Sequence, residues 1–315
     1  MGKGVVPDTH AQNVNPARTL ALLKADVILL VGARLNWILH YGLPPRFQRD
    51  VRIVQVDISP EEHGNNVPAT VSLVGDAGRI MHQLVCAATH AKWRFPAASD
   101  WWSDLSAKVR ANKDAVQRLC EDNSVPMTYY RALRAVQDTL PRDAIVVSEG
   151  ANTMDIGRTL IMNDEPRTRL DAGTFGTMGV GLGFAIAAAA VHPSRKVVAV
   201  EGDSAFGFSG LEFEVACRHG LPITIVIINN NGIYQGVEEL NPDFIPPTAL
   251  LPSARYEKIA EAFGGKGYFV TQPSELEPTL KEAFALRVPS IVNVMITTSG
   301  SRKKQQFDWL TPSKL

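Results

Sequence analysis

Short apolar runs that close on glycine, aspartate or asparagine alternate along this chain with longer stretches of helical spacing. Asp26-Val-Ile-Leu-Leu-Val-Gly-Ala-Arg, Val51-Arg-Ile-Val-Gln-Val-Asp-Ile and Val71-Ser-Leu-Val-Gly-Asp each read as a buried strand followed by a turn. A helix is predicted over Ala77–Ala88, and residues 97–123, which carry Trp101-Trp102 and several charges, read as helix and connector. Pro126-Met-Thr-Tyr-Tyr opens a second region, with a helix through Val136. Four more strands follow there: Ala144-Ile-Val-Val-Ser-Glu-Gly, Arg195-Lys-Val-Val-Ala-Val-Glu-Gly-Asp, Leu221-Pro-Ile-Thr-Ile-Val-Ile-Ile-Asn-Asn and Pro289-Ser-Ile-Val-Asn-Val-Met-Ile. Strands that alternate with helices predict βαβ units and parallel sheets. The expected fold is α/β, with two doubly wound parallel-sheet domains over residues 1–120 and 121–315.

Composition agrees with that picture and narrows the partners. The 315 residues are 45% hydrophobic, enough for about two domains with ordinary cores. Lys+Arg and Asp+Glu stand at 32 each, and no basic run is interleaved with aromatics, so neither nucleic acid nor an acidic membrane surface is an expected partner. No apolar stretch approaches the ~20 residues of a membrane span. Cys86, Cys120 and Cys217 are far apart and lack metal-ligand spacing, which fits a reducing compartment. The chain ends in Ser313-Lys314-Leu315, the tripeptide that a peroxisomal import receptor reads. Peroxisomal localisation is the expectation, against the plainer reading of a polar tail.

Chemistry concentrates at the carboxyl ends of the second region's strands, the edge where open α/β sheets bind ligands. Glu201-Gly-Asp-Ser-Ala-Phe-Gly closes one strand and Asn229-Asn-Asn-Gly-Ile-Tyr the next. Asp203 and Asn230 are 27 residues apart, the length of a strand, a helix and a return strand, so both are expected at one rim. A carboxylate, an amide oxygen and a backbone carbonyl are hard ligands suited to Mg²⁺, which commonly bridges to phosphate oxygens. Gly202 and Gly207 allow a phosphate to approach the backbone, and a helix starting near Ser209 would aim its N–H groups at the anion. Either fragment alone is equally well a turn. The pair at neighbouring strand ends is what points to a metal and a phosphate.

Asp203-Ser-Ala-Phe-Gly-Phe-Ser-Gly-Leu-Glu through Asn229-Asn-Asn-Gly-Ile-Tyr-Gln-Gly resembles the thiamine-diphosphate motif, which opens Gly-Asp and closes Asn-Asn. The likeness is strongest to the 2-hydroxyacyl-CoA lyase and oxalyl-CoA decarboxylase family. It extends to Gly32-Ala-Arg-Leu-Asn-Trp, Val56-Asp-Ile, Ser148-Glu-Gly-Ala-Asn and Asp171-Ala-Gly-Thr-Phe-Gly-Thr-Met-Gly, and so spans essentially the whole chain.

The resemblance implies thiamine diphosphate and Mg²⁺ as cofactors. Asp203 and Asn230 would bind the metal through side chains and Gly232 through its carbonyl. The run of three asparagines leaves a register of one open, and the glycine two places on favours Asn230 over Asn231. Gly202, Ser204, Ala205, Ala151 and Asn152 would contact the diphosphate. Gly176 would meet the aminopyrimidine through its carbonyl, and Met178 would wedge the cofactor into its bent form. Proton removal within that bent molecule gains from pre-set orientation. Met178 and Ile233 are each equally readable as core packing. The implied reaction is cleavage of a carbon–carbon bond in a 2-hydroxyacyl-CoA, giving formyl-CoA and a shortened aldehyde. Oxalyl-CoA decarboxylation is the alternative, and a non-catalytic cofactor- or nucleotide-binding module is the second.

Members of this family run pyrimidine-binding, central, diphosphate-binding, and the likeness covers only the last two. The activating glutamate is expected in the missing domain, supplied by a neighbouring subunit of a homo-oligomer, so the catalytic residue is not assigned here and the chain reads as a fragment. The family also implies an ADP-like nucleotide in the central domain. Asp57 could meet its ribose or cap the next turn, and no Gly-x-Gly-x-x-Gly accompanies it.

Overall fold

The computed structural model describes residues 2–300, so Ser313-Lys314-Leu315 lies outside the described residues. Two compact units are present. One is built on Asp8–Ala115, the other on Lys3–Pro7 and the residues from Val116 onward. Among the described residues no helix is long and apolar enough to cross a membrane.

The first unit holds helix α1 (Arg18–Lys24) and a parallel sheet of β1 (Val27–Val31), β2 (Arg52–Asp57) and β3 (Val71–Val74), in that order. These are the three strands the apolar runs predict. Leu30, Leu35, Phe47 and Ile53 form its buried cluster. Val27, Leu29 and Val31 alternate outward along β1 and are exposed. Asp76 caps helix α2 (Ala77–His90), its carboxylate accepting from the Arg79 N–H at 2.9 Å. Helix α3 (Asp100–Cys120) follows, and the division between the units falls within it.

The second unit is a fully parallel sheet of six strands. Its strands are β4 (Ile145–Glu149), β5 (Arg169–Asp171), β6 (Val197–Gly202), β7 (Thr224–Asn229), β8 (Lys266–Val270) and β9 (Ser290–Met295), arranged β5-β4-β6-β7-β9-β8. Strands β4, β6 and β7 are buried along their entire length, as near-continuous Val/Ile runs require when both sheet faces are covered. Helices α4 (Tyr129–Thr139), α5 (Ala151–Leu160) and α10 (Pro273–Ala285) cover one face, burying Leu133, Val136, Ile156 and Leu280 against Val146, Val200 and Val226. Helices α6 (Gly181–Val191), α7 (Asp203–Ser209), α8 (Phe213–Arg218) and α9 (Lys258–Ala262) supply Leu182, Phe206, Phe213 and Ala260 to the other.

The patterning locates β4, β6, β7 and β9 but not β5 or β8. Both missed strands are sheet edges. β5 has three residues, and β8 opens on Lys266-Gly267-Tyr268 with only Phe269 and Val270 apolar after them, so neither shows the buried-strand signature. The chain leaves β4 toward β5 but leaves β6 toward β7, so the strand order reverses between β4 and β6. That reversal opens a crevice beyond their carboxyl ends, the usual ligand position in such sheets.

Candidate functional site

The pairing of β6 with β7 sets Gly202 opposite Ile228, which brings the residues after each strand to one rim. The helix after β6 begins at Asp203 rather than near Ser209, because Gly202 already has the extended backbone of an N-cap. Asp203 is thus the first residue of α7, almost fully buried. One carboxylate oxygen accepts from the Ser204 N–H at 2.8 Å. The other accepts from the Gly232 N–H at 3.0 Å. Burial pushes the Asp203 carboxyl up to about 6, against the downward pull of the amides of Ser204, Gly232, Asn231 and Asn230. Its burial disfavours the charged form, and the surrounding amides recover part of that cost.

The turn after β7 completes the rim. Asn231, at φ 62°, is spent on structure. Its N–H donates to Asn229 Oδ1 at 3.0 Å, its Nδ2 to the Val237 carbonyl at 3.3 Å, and its Oδ1 accepts from the Ser253 N–H at 3.1 Å. Asn230 is buried, and its Nδ2 donates to the Tyr234 carbonyl at 3.1 Å. The same carbonyl accepts from Asn152 Nδ2 at 3.0 Å, which ties the β4–α5 loop to the turn. Gly232 is sterically required, since a Cβ there would lie 2.8 Å from the carbonyls of Gln235 and Thr248. Gly236 is tighter still: a Cβ would fall 1.8 Å from the Asn230 carbonyl oxygen.

Asp203, Ser204, Asn230, Gly232 and Asn152 are therefore gathered by direct hydrogen bonds or a shared acceptor. Ala151 opens α5 directly after Gly150, whose φ of 102° makes the sharp turn off β4. Ala205 is fully buried in α7, and Ile233 is exposed. Gly176 (φ 61°) lies in an exposed loop beside the nearly fully exposed Phe175, and Met178 is half-buried. That loop joins the site at its far end, where the Gly179 N–H donates to Glu149.

Three residues of the site were not singled out by sequence. Tyr129 is buried, and burial together with the Asp203 charge raises its phenol, while hydrogen bonds with Asn152 and Thr153 pull it back. Glu149 and Glu201 are both fully buried and stand opposite each other in the β4–β6 register. Burial, then the neighbouring Glu149, push the Glu201 carboxyl well above the usual carboxylate range. The available signal was a glutamate ending an otherwise apolar strand, a rare place for a charge.

In the first unit, Asp57 Oδ1 accepts from the Ser59 N–H at 3.0 Å, which is the turn-capping arrangement. Arg34 pairs with Glu62 at 3.2 Å, and Asn36 accepts from the Ile38 N–H at 3.1 Å.

Among the described residues no group of three or more His, Cys, Asp or Glu could hold a metal. The donor set at the rim is instead one carboxylate, one amide oxygen and one backbone carbonyl, which suits a hard divalent ion completing its shell with phosphate oxygens. Gly150, at φ 102°, lets the β4–α5 turn pack against the start of α7, where a Cβ on it would lie 3.2 Å from the Gly202 N. These residues fit a metal-bound diphosphate.

Comparison with known proteins identifies the family. Residues 149–294 match the C-terminal TPP binding domain of the thiamine pyrophosphate enzymes, and residues 1–84 match their central domain. The chain is 52% identical to human 2-hydroxyacyl-CoA lyase 1, over 100% of this chain and 57% of that protein. It is 45% identical to a rice 2-hydroxyacyl-CoA lyase, over 94% of this chain and 53% of that protein. It is 41% identical to Escherichia coli oxalyl-CoA decarboxylase, over 100% of this chain and 56% of that protein. The chain thus spans little more than half the length of these curated relatives. It belongs to the thiamine pyrophosphate enzymes, of which it carries the central domain and the C-terminal TPP-binding domain.

Proposed function

We propose that the chain is the diphosphate-binding half of a Mg²⁺- and thiamine-diphosphate-dependent lyase that cleaves 2-hydroxyacyl-CoA to formyl-CoA and a shortened aldehyde. The observation that carries this reading is the buried Asp203 carboxylate, held against the Gly232 amide beside Asn230 at one rim. Identity of 52% to a 2-hydroxyacyl-CoA lyase supports the substrate class.

Asp203 and Asn230 would hold Mg²⁺ by side-chain oxygens and Gly232 by its carbonyl. Asn230 is favoured over Asn231 because the Asn231 Oδ1 already accepts from Ser253, whereas no hydrogen bond to the Asn230 Oδ1 is found among the described residues. Ser204, Ala205, Ala151, Asn152 and the bare backbone of Gly202 would receive the diphosphate. The Gly176 carbonyl would orient the aminopyrimidine, and Met178 would support the cofactor from below, with Ile233 at its edge. The bound cofactor supplies an electron sink for the pair released when the carbon–carbon bond breaks. The residues of this chain bind, orient and desolvate. The group that activates the ring is expected from a pyrimidine-binding domain of a neighbouring subunit in a homo-oligomer.

Two further parts belong to the same reading. An ADP-like nucleotide would occupy the central domain, although Asp57 is engaged with its own turn. Ser313-Lys314-Leu315, as a C-terminal address, would direct the protein to the peroxisome through its import receptor.

Oxalyl-CoA decarboxylase is the second reading, favoured by 41% identity to the E. coli enzyme. Full-length protein incubated separately with 2-hydroxyacyl-CoA and oxalyl-CoA decides between them. Release of formyl-CoA and aldehyde from the first is expected, and turnover of oxalyl-CoA alone would overturn the assignment.

A further inference from the structure

Glu149 ends β4 at the point where the strand order reverses, fully buried and opposite Glu201. Each of its carboxylate oxygens accepts one backbone N–H, Oε1 from Gly179 and Oε2 from Gly181, both at 2.5 Å. Those amides flank Val180, the N-cap of α6, whose side chain provides no cap. The first turn of a helix has N–H groups without intrahelical partners and carries partial positive charge, so a carboxylate reaching across from a strand satisfies both needs.

Two glycines of this segment leave no room for a side chain. A Cβ on Gly181 would sit 2.3 Å from Glu201 Oε1 and 2.7 Å from Glu149 Oε2. Gly179 has φ 83°, and a Cβ there would meet the Phe208 side chain at 3.2 Å. At the other end of the loop, Asp171 closes β5, accepts from the Gly173 N–H at 2.9 Å and pairs with Arg158 of α5 at 3.5 Å. Between these anchors, residues 174–177 are exposed. Met178 is the residue immediately before the Glu149-bound amide.

We infer that Glu149 is a positioning residue that fixes the Gly176–Met178 segment where the pyrimidine end of the cofactor docks. The inference rests on the functional reading above and assigns Glu149 a task in it. Glu149 acts through two amides and a loop and touches no reacting atom. Its loss leaves the Asp203 rim intact, because Asp203 is held by Ser204 and Gly232 instead. The expected defect is therefore selective for the organic part of the cofactor.

The test compares wild type with Glu149→Gln and Glu149→Asp, each as full-length protein with saturating Mg²⁺, titrated with thiamine diphosphate and separately with inorganic diphosphate. Glutamine puts an N–H₂ against an amide N–H, and aspartate keeps the charge but falls short of spanning both amides. Loss of one charge-assisted hydrogen bond corresponds to about tenfold. Glu149→Gln is expected to weaken thiamine diphosphate by about tenfold or more and inorganic diphosphate by less than about twofold. Glu149→Asp is expected to fall between. A structural role alone would weaken both ligands together, and that result overturns the inference.

Hydrogen exchange on the ligand-free protein provides the second arm. The Gly179 and Gly181 amides are expected to exchange about tenfold faster in Glu149→Asp, with β6 and β7 unchanged. Unchanged exchange at those two amides also overturns the inference, and this arm decides if Glu149→Gln does not fold. Wild type that binds neither ligand sinks the functional reading rather than the clamp, which amide exchange then judges alone.

Discussion

Asn229 Nδ2 donates to Asn293 Oδ1 at 3.1 Å, inside a sheet where both side chains are fully buried. The pair is the floor of the turn that carries Asn230 and Gly232. Asn293 Nδ2 also donates to the Ala254 carbonyl at 2.8 Å and to Glu257 Oε2 at 2.9 Å, while Asn229 Oδ1 accepts from the Asn231 N–H. Replacing Asn293 by leucine leaves the Asn229 amide and the Glu257 carboxylate short of partners, at about 1–3 kcal/mol for each buried group left unsatisfied. Chemical denaturation of Asn293→Leu is expected to show a stability loss of that order. A loss under about 0.5 kcal/mol, the usual range of a surface change, would remove this network from the account.

Asp203→Ala separates fold from ligand. A ligand present at about 100 times its Kd stabilises the folded state by about 2.7 kcal/mol. Thermal melts of wild type with Mg²⁺ and thiamine diphosphate are expected to shift upward accordingly, and Asp203→Ala is expected to lose the shift entirely. The ligand-free variant should still fold and melt cooperatively, because relief of the desolvation cost of a carboxyl raised to about 6 offsets part of the loss of its bonds from the Ser204 and Gly232 amides. A variant that keeps its Mg²⁺-dependent shift contradicts the metal assignment.

Two glycines of one motif are expected to respond in opposite ways. Gly236→Ala drives a Cβ into the Asn230 backbone, so overpacking of about 1–3 kcal/mol and loss of the Mg²⁺-dependent shift are expected. Gly207 is an exposed position in α7 where an added methyl would meet nothing within 4 Å, and Gly207→Ala is expected to raise the ligand-free melting temperature, worth about 0.5–1 kcal/mol. Melting the two variants side by side checks the contrast; a destabilised Gly207→Ala would show that its backbone depends on glycine.

Lys196 gives the pH dependence. Its Nζ donates to the carbonyls of Pro222 at 3.0 Å and Ala283 at 3.3 Å, and burial, with Arg287 adding to it, lowers the amine to about 8. Below pH 8 the folded and unfolded chains both hold the proton, so the cost of the buried charge is constant. Between about 8 and the ordinary 10.5 only the unfolded chain holds it, and stability rises with pH. The stability of wild type relative to Lys196→Met is expected to increase across that window. A flat or falling difference would mean that the amine titrates normally.

The thiamine-diphosphate motif and the apolar strand runs were legible because they are local: the Asn-Asn-Asn-Gly turn, the Gly-Asp pair that closes β6 and the Val/Ile strands carry their signature within a few residues. The 27-residue spacing of Asp203 and Asn230 even predicted their common rim, since parallel βαβ geometry constrains it. Edge strands β5 and β8 escaped because sheet edges need no apolar run. Glu149 escaped for a different reason. Its task depends on amides 30 and 32 positions away in sequence, contributed by the loop before α6 and by the first residue of that helix.

Residue order alone thus determined the α/β class, the common rim of Asp203 and Asn230, and the family. Only the tertiary structure decided which asparagine of three is committed to the turn, where α7 starts, and that a buried strand-end glutamate holds the loop bearing Met178. Local propensity and motif spacing act along the chain, whereas burial and hydrogen-bond satisfaction are settled between segments that meet only after the sheet has formed.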